Sequence, residues 1–242
     1  MSAKPLKRTG FAHPLFVQNV TRKETVGTLR ITKDGRKFRY ARAGSSNLAA
    51  GKLALAAALA ADVMNEAATA IHAIGDLQVA ETITSATYAE DYFAGGYFQV
   101  NDGTGEGHQY LIDSSTAVAA STAITLSLAE PIRVATAGTV ASEFSIMHSP
   151  WMAVVESATL GAPVGVSPHV VTAAYYYWIQ TGGPALILSG NTDAVGKPVY
   201  QSTSTAGAVS GADSASYYPQ VAIAIGTVGV ASEYKPFRLT LD

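Results

Sequence analysis

Apolar and polar positions in this chain alternate mostly with a period of two, the mark of β-strands with one or both faces covered. The densest stretch runs from Tyr175 to Leu188 and reads Tyr-Tyr-Tyr-Trp-Ile-Gln-Thr-Gly-Gly-Pro-Ala-Leu-Ile-Leu. Aromatic and β-branched residues suit a pleated, half-buried surface. In a strand, Tyr175, Tyr177 and Ile179 share one face while Tyr176, Trp178 and Gln180 share the other, so both faces carry large rings. A strand of that kind belongs inside a sandwich or barrel, or at a subunit interface. Gly182-Gly183-Pro184 offers a positive-φ position and removes a donor, which predicts two strands joined at a tight corner.

The same alternation marks other elements. Val26 to Ala41 alternates on either side of Asp34-Gly35, a strong local hairpin signal. Short strands are predicted over 77–84, 88–93, 97–100, 108–113, 123–128 and 144–147, then over 198–202, 221–228 and 237–241, separated by Gly-, Ser- and Thr-rich turns. Ala49 to Ile74 departs from the pattern. There Leu53, Leu55, Leu59, Val63, Ala67 and Ile71 fall near helical spacing, with Asn47 as a start cap and Gly75 as a stop signal, which predicts helix between about Leu53 and Ala73. The same small residues also suit packing under an extended segment. The fold class is therefore mainly β, with β-sandwich or β-barrel-like modules, an extended basic N-terminal arm and room for one Ala-rich helix. Four segments follow: a basic arm and hairpin (1–42), an Ala-rich connector (43–75), a β domain (76–150), and a second β domain or second half of one barrel (151–242).

Composition sharpens this. The 242 residues are 48% hydrophobic and only 14% charged, enough apolar material for a sizeable core and few surface charges, as in a subunit of a packed assembly. Cysteine is absent, which excludes disulfides, thiolate catalysis and cysteine-ligated metal. No apolar run reaches the ~18–20 residues of a membrane-spanning helix, and no secretory h-region follows Lys4, Lys7 and Arg8, so synthesis in the cytoplasm and no membrane partner are expected. The net charge of −2 hides an asymmetry. Residues 1–42 carry eleven bases against Glu24 and Asp34, a net +9, and the remainder is net −11. Lys4, Lys7, Arg8, Arg22, Lys23, Arg36, Lys37 and Arg39 are the candidate docking residues of that arm. Docking on an acidic protein surface ranks above nucleic acid, because only Phe38 and Tyr40 interleave the bases.

Candidate chemistry is sparse. Gly103-Thr104-Gly105-Glu106-Gly107 looks like a phosphate cradle, but a strand follows where a helix is needed and Glu106 would repel an anion, so a hairpin loop is the better reading. His13, His72, His108, His148 and His169 have no metal-site spacing, no G-x-S-x-G elbow is present, and Glu90 and Asp91 point to opposite faces. No catalytic residue, metal ligand or cofactor is assigned.

Several stretches taken together carry a resemblance. They are Asp34 to Gly44, Leu48 to Leu53, Tyr97 to Ile112, Thr125 to Ile132, Pro163 to Val166 and Tyr177 to Ala185. This set resembles structural proteins of the head gene clusters of tailed bacteriophages, and covers most of the chain after about residue 34. Its landmarks are the glycines and aromatics of a β scaffold. The resemblance implies a non-enzymatic virion component, a decoration or cement protein on the outer capsid, bound to the major capsid protein and forming a homotrimer. Tyr175, Tyr176, Tyr177 and Trp178 are expected in the core or the subunit interface. The second reading is a virion adhesin that binds host glycan through Tyr175, Tyr176 and Trp178. A depolymerase is disfavoured by the missing acid pair or nucleophile motif.

Overall fold

The computed structural model describes residue 11 and residues 13–138, 142–211, 218–226 and 231–242. Within them the protein is mainly β, and the chain divides into two compact units. One is the continuous segment 58–149. The other is assembled from 5–57 and 150–242, so the first unit is an insertion in the second. This redraws the segments expected from the sequence. The connector 43–75 is split between the units, and the described part of the arm, with the hairpin, belongs to the same unit as the C-terminal β segment.

The chain first lays down β1 (Leu29–Ile31), β2 (Lys37–Arg42) and β3 (Leu53–Leu55) of the discontinuous unit. β1 and β2 pair antiparallel around Asp34-Gly35, as the Asp-Gly signal predicts, with Gly35 at φ +83°. The inserted unit then supplies β4 (Glu66–Ala67), β5 (Gln78–Thr82), β6 (Tyr97–Gly103), β7 (Gln109–Ser115), β8 (Ala123–Leu128) and β9 (Ser142–Met147). These form one antiparallel sheet in the order β4-β9-β6-β7-β8-β5, curled as a half-barrel. Its core buries Phe98, Tyr110, Ile112, Ile124, Leu126, Phe144 and Ile146 from the strands and Phe93 from the turn before β6. The 103–107 loop is a hairpin connection between β6 and β7, with Gly103, Gly105 and Gly107 all at positive φ.

The chain returns for β10 (Pro163–Val166), β11 (Tyr176–Ser189), β12 (Pro198–Gln201), β13 (Val209–Ser210), β14 (Ala222–Ala224) and β15 (Glu233–Thr240). β11 pairs with β13 and β15, β13 with β12, β12 with β14 and β14 with β15, closing a ring of five strands. Closure leaves those strands no open edge. Ile187, Val199, Val209, Val221, Phe237 and Leu239 fill the interior.

β11 organises this unit. Its first half pairs with β2 and its second half with β15, and the partner changes at Gly182-Gly183. The tight corner expected there is instead a bulge within one continuous strand: the register against β2 slips between Gln180 and Gly182, and Gly183 takes φ +83°. An L side chain at Gly183 would strain the backbone and sit 3.2 Å from Arg36 Cα. The two-faced alternation is observed. Tyr177 and Ile179 join one buried cluster, with Tyr175 against it, and Trp178 joins another with Phe38 and Tyr40.

The Ala-rich helix is not formed. Among the described residues, 49–74 holds β3, a single 3-10 turn (Ala61–Val63) and β4. Leu53, Ala54 and Leu55 are all buried, as in a strand covered on both faces. Their amides are claimed by distant backbone: Leu53 N–H donates to Gly207 O at 2.7 Å and Leu55 N–H to Val155 O at 2.8 Å. Tertiary pairing overrides alanine's helix propensity.

Candidate docking surfaces

The expected arm residues divide into three groups. Lys4, Lys7 and Arg8 lie outside the described residues. From Phe11 onward the segment is packed rather than extended. The Phe11 ring stands edge-on to Trp178 at 5.0 Å, and the His13 carbonyl accepts hydrogen bonds from Trp178 Nε1 and Arg30 Nη1, both at 3.0 Å. Several bases are engaged internally. Arg39 forms a bidentate pair with Asp242 at 2.8 and 2.9 Å and stacks over Trp151, and Arg36 is clamped by Asp34 at 2.8 Å. Arg22 and Lys23, with Lys33, are exposed, while Arg36, Lys37 and Arg39 are half-buried. What the sequence presents as a basic arm is thus a basic edge of a folded unit.

The charge asymmetry follows the fold rather than the sequence order. Among the described residues, 58–149 carry eleven acids and a single base, Arg133, a net −10, whereas 11–57 with 150–242 carry twelve bases and six acids, a net +6.

The aromatic stretch is core. Tyr177 and Trp178 are fully buried within one chain, so neither is available to a partner subunit or a sugar. Burial raises the Tyr177 phenol above its ordinary range, with Glu156 adding to the shift and the hydrogen bond with the Ser167 hydroxyl opposing it. Tyr176 is half-buried and stacks on Tyr40 at 5.9 Å, and Tyr175 is half-buried against Tyr177's cluster.

Two apolar surfaces were not singled out by the sequence. The first is a cleft of about 600 Å³ in the discontinuous unit. It opens where β11 has left β2 and β10, and its wall is built from Ala49–Gly51, Val166–Pro168 and Pro184–Leu186. Its rim holds Phe16, Val170, Leu186 and Tyr234, which are 55, 63, 58 and 46% exposed, and its one charged side chain is Arg36. Gln180, buried in the floor, donates through Nε2 to the carbonyls of Gly182 and Pro184 at 3.2 and 2.7 Å, fixing the bulge from which the cleft arises.

The second surface is a loop of the inserted unit, 69–77, in which Ile71, Ile74 and Leu77 are 74, 70 and 53% exposed. Such exposure is unusual for three aliphatics in one turn of chain. The loop is held rigidly. His72 Nε2 meets Glu81 Oε1 at 2.8 Å in a buried pair, and Glu81 Oε2 accepts the amide and hydroxyl of Thr69 at 2.7 and 2.8 Å. Gly75 N–H and Asp76 O bracket Ile132, each at 2.9 Å, and His72 exchanges hydrogen bonds with Thr136.

Two other polar groups are structural. Ser189, Asp193 and Lys235 form a cluster resembling a serine–lysine pair: Ser189 Oγ lies 2.5 Å from Asp193 Oδ2 and 3.4 Å from Lys235 Nζ. Ser189 is fully buried, however, and the lysine also donates to the Asn191 carbonyl at 2.9 Å, so the cluster staples the 190–193 turn to the barrel. His13 is buried with neither ring nitrogen paired. Among the described residues no group of three or more potential ligands could hold a metal, and no helix is long and apolar enough to cross a membrane. No protein-family model, curated protein or solved structure matches the chain.

Proposed function

We propose that this chain is a non-enzymatic virion structural protein, a capsid decoration protein that binds the outer surface of a phage head and stabilises the major capsid protein lattice. The observation that carries the reading is the separation of charge between the described residues of the two units, net +6 and net −10. A folded basic edge bearing Arg22, Lys23 and Lys33 is suited to an acidic lattice, since complementary potential speeds encounter and fixes register. The resemblance to phage head proteins supports the same reading, and its segments fall on β2, β3, β6–β8, β10 and β11. A homotrimer belongs to the proposal, with its contacts outside Tyr177 and Trp178.

The test is co-sedimentation of purified protein with undecorated heads. Deleting residues 1–42 would strip Phe38 and Tyr40 from the core, so charge reversal is the cleaner variant. Combined Arg22→Glu, Lys23→Glu and Lys33→Glu is expected to weaken binding at least tenfold at low salt with the fold retained. Wild-type protein that fails to bind heads, or a triple variant that binds as well as wild type, removes the reading.

A further inference from the structure

We infer that the 69–77 loop of one copy docks into the cleft of the discontinuous unit of a second copy, giving a heterologous contact between chains. The proposal names the self-contact of the reading above, but rests on geometry that a capsid does not enter.

Three observations meet here. The loop presents Ile71, Ile74 and Leu77 from a backbone already locked by the His72–Glu81 pair and by Ile132 and Thr136, so little conformational freedom is lost on docking. The cleft presents an apolar rim of matching character, and about 600 Å³ accommodates a few aliphatic side chains. The charges oppose: among the described residues the loop belongs to a unit of net −10 and the cleft to one of net +6, with Arg36 at its edge. A second copy therefore satisfies both surfaces at once, apolar against apolar and acid against base. A lipid surface fits less well, because an anionic bilayer would repel a unit with eleven acids and one base. The contact joins different patches on the two copies, so it closes a ring or propagates, according to the rotation it imposes.

The experiment uses the full chain and two variants at exposed positions. Ile74→Asp spoils the loop and Val170→Asp spoils the cleft; circular dichroism and a melt confirm folding, and Ile71→Ser stands in if Ile74→Asp misfolds. Wild type should show a mass above the 25.1 kDa monomer that grows with concentration over ~10–100 µM and falls with added salt. Each variant alone should be monomeric. Mixed in equal amounts they should form dimers and nothing larger, because the mixture holds one intact loop type and one intact cleft type. Wild type that stays monomeric, self-association that survives either variant, or a mixture with no dimer overturns the proposal. So does an Ile74→Asp protein that still self-associates but no longer binds heads, which assigns the loop to the lattice. Wild-type heads left unbound while the mixed dimer forms would remove the capsid reading and leave this one standing.

Discussion

The inserted unit and its host bury β surface by different routes. The inserted unit runs β6, β7 and β8 as successive antiparallel neighbours and flanks them with β9 and β4 on one side and β5 on the other, all from one continuous segment. The host closes a ring whose long strand, β11, is paired along one half with a strand more than 130 residues earlier and along the other with β15. Local pairing can form early and alone, whereas the ring waits on contacts distant in sequence. The charge division of the described residues, net −10 against net +6, follows the same boundary. The two units should therefore respond separately to perturbation.

The largest effect is expected from Trp178→Ala. Its side chain is fully buried among Phe11, Tyr40 and Arg30, and its indole N–H is bonded to the His13 carbonyl. Truncation should cost about 3–5 kcal/mol. Urea unfolding followed by residue-resolved hydrogen exchange should show the loss in 13–57 and 150–242, with protection of 58–149 intact. Uniform loss through both units would deny their independence.

In the inserted unit the matching experiment is Glu81→Ala. It leaves His72 buried without its partner and frees the Thr69 amide and hydroxyl, a loss on the order of 3 kcal/mol. Because this pair anchors the exposed loop, exchange at 69–77 should rise before the sheet itself opens. A variant that loses no stability would show the pair to be dispensable.

How much of this was legible in the sequence depended on range. The Asp34-Gly35 hairpin and the two-faced alternation of Tyr175–Gln180 are written in neighbouring residues and were readable. Closure of the barrel was not, since nothing near Ser189 says that its partner is Val209, in parallel. The Ala-rich stretch misled for a physical reason. Alanine fits helix and covered strand alike, and the stripe completed by Val63, Ala67 and Ile71 never forms, Val63 being buried and Ile71 exposed. The exposed loop was hidden in that same stripe. Charge was readable as a total but assigned to an arm, because the sequence does not announce that the segment before Ala58 and the segment after Ser149 make one body.

A smaller effect should appear on acidification, with one histidine in each unit. Burial is the main cause holding both His13 and His148 below the ordinary 6.5; Lys23, Arg30 and His169 add to it at His13 while Glu24 opposes, and carbonyls of Ser149 and Ala58 oppose it at His148. The unfolded chain then binds more protons than the native one, so this contribution is complete above about pH 6.5 and is lost as pH falls from there toward the depressed native values. Melting curves between ~pH 7.5 and ~pH 5 should shift downward in both units. His13→Phe should flatten the response of the host alone and His148→Phe that of the insertion alone. Equal responses in wild type and both variants would place the acid sensitivity elsewhere.

The finest comparison sets Arg39 in the host against Arg133 in the insertion. Each guanidinium lies 4.7 Å over an aromatic ring, Trp151 and Tyr110 respectively, and each meets a carboxylate. They differ in exposure: the Arg39–Asp242 side chains are 18 and 19% exposed and bonded through two nitrogens, whereas Arg133–Glu130 are 47 and 44% exposed and joined through one. Burial, the largest single influence, would raise the Asp242 carboxyl, but the Arg39 hydrogen bonds, the Thr181 side chain and the Arg39 and Lys37 charges together hold the group below its ordinary 3.8. The stabilisation is therefore present above that value and disappears as pH falls through the depressed one. Arg39→Met should cost up to about 1 kcal/mol near neutrality, less at high salt, while Arg133→Met should cost close to nothing beyond the lost stacking. Urea midpoints at two salt concentrations separate the cases. An equal loss for both variants would mean that ring stacking, common to the two, outweighs the ion pair that distinguishes them.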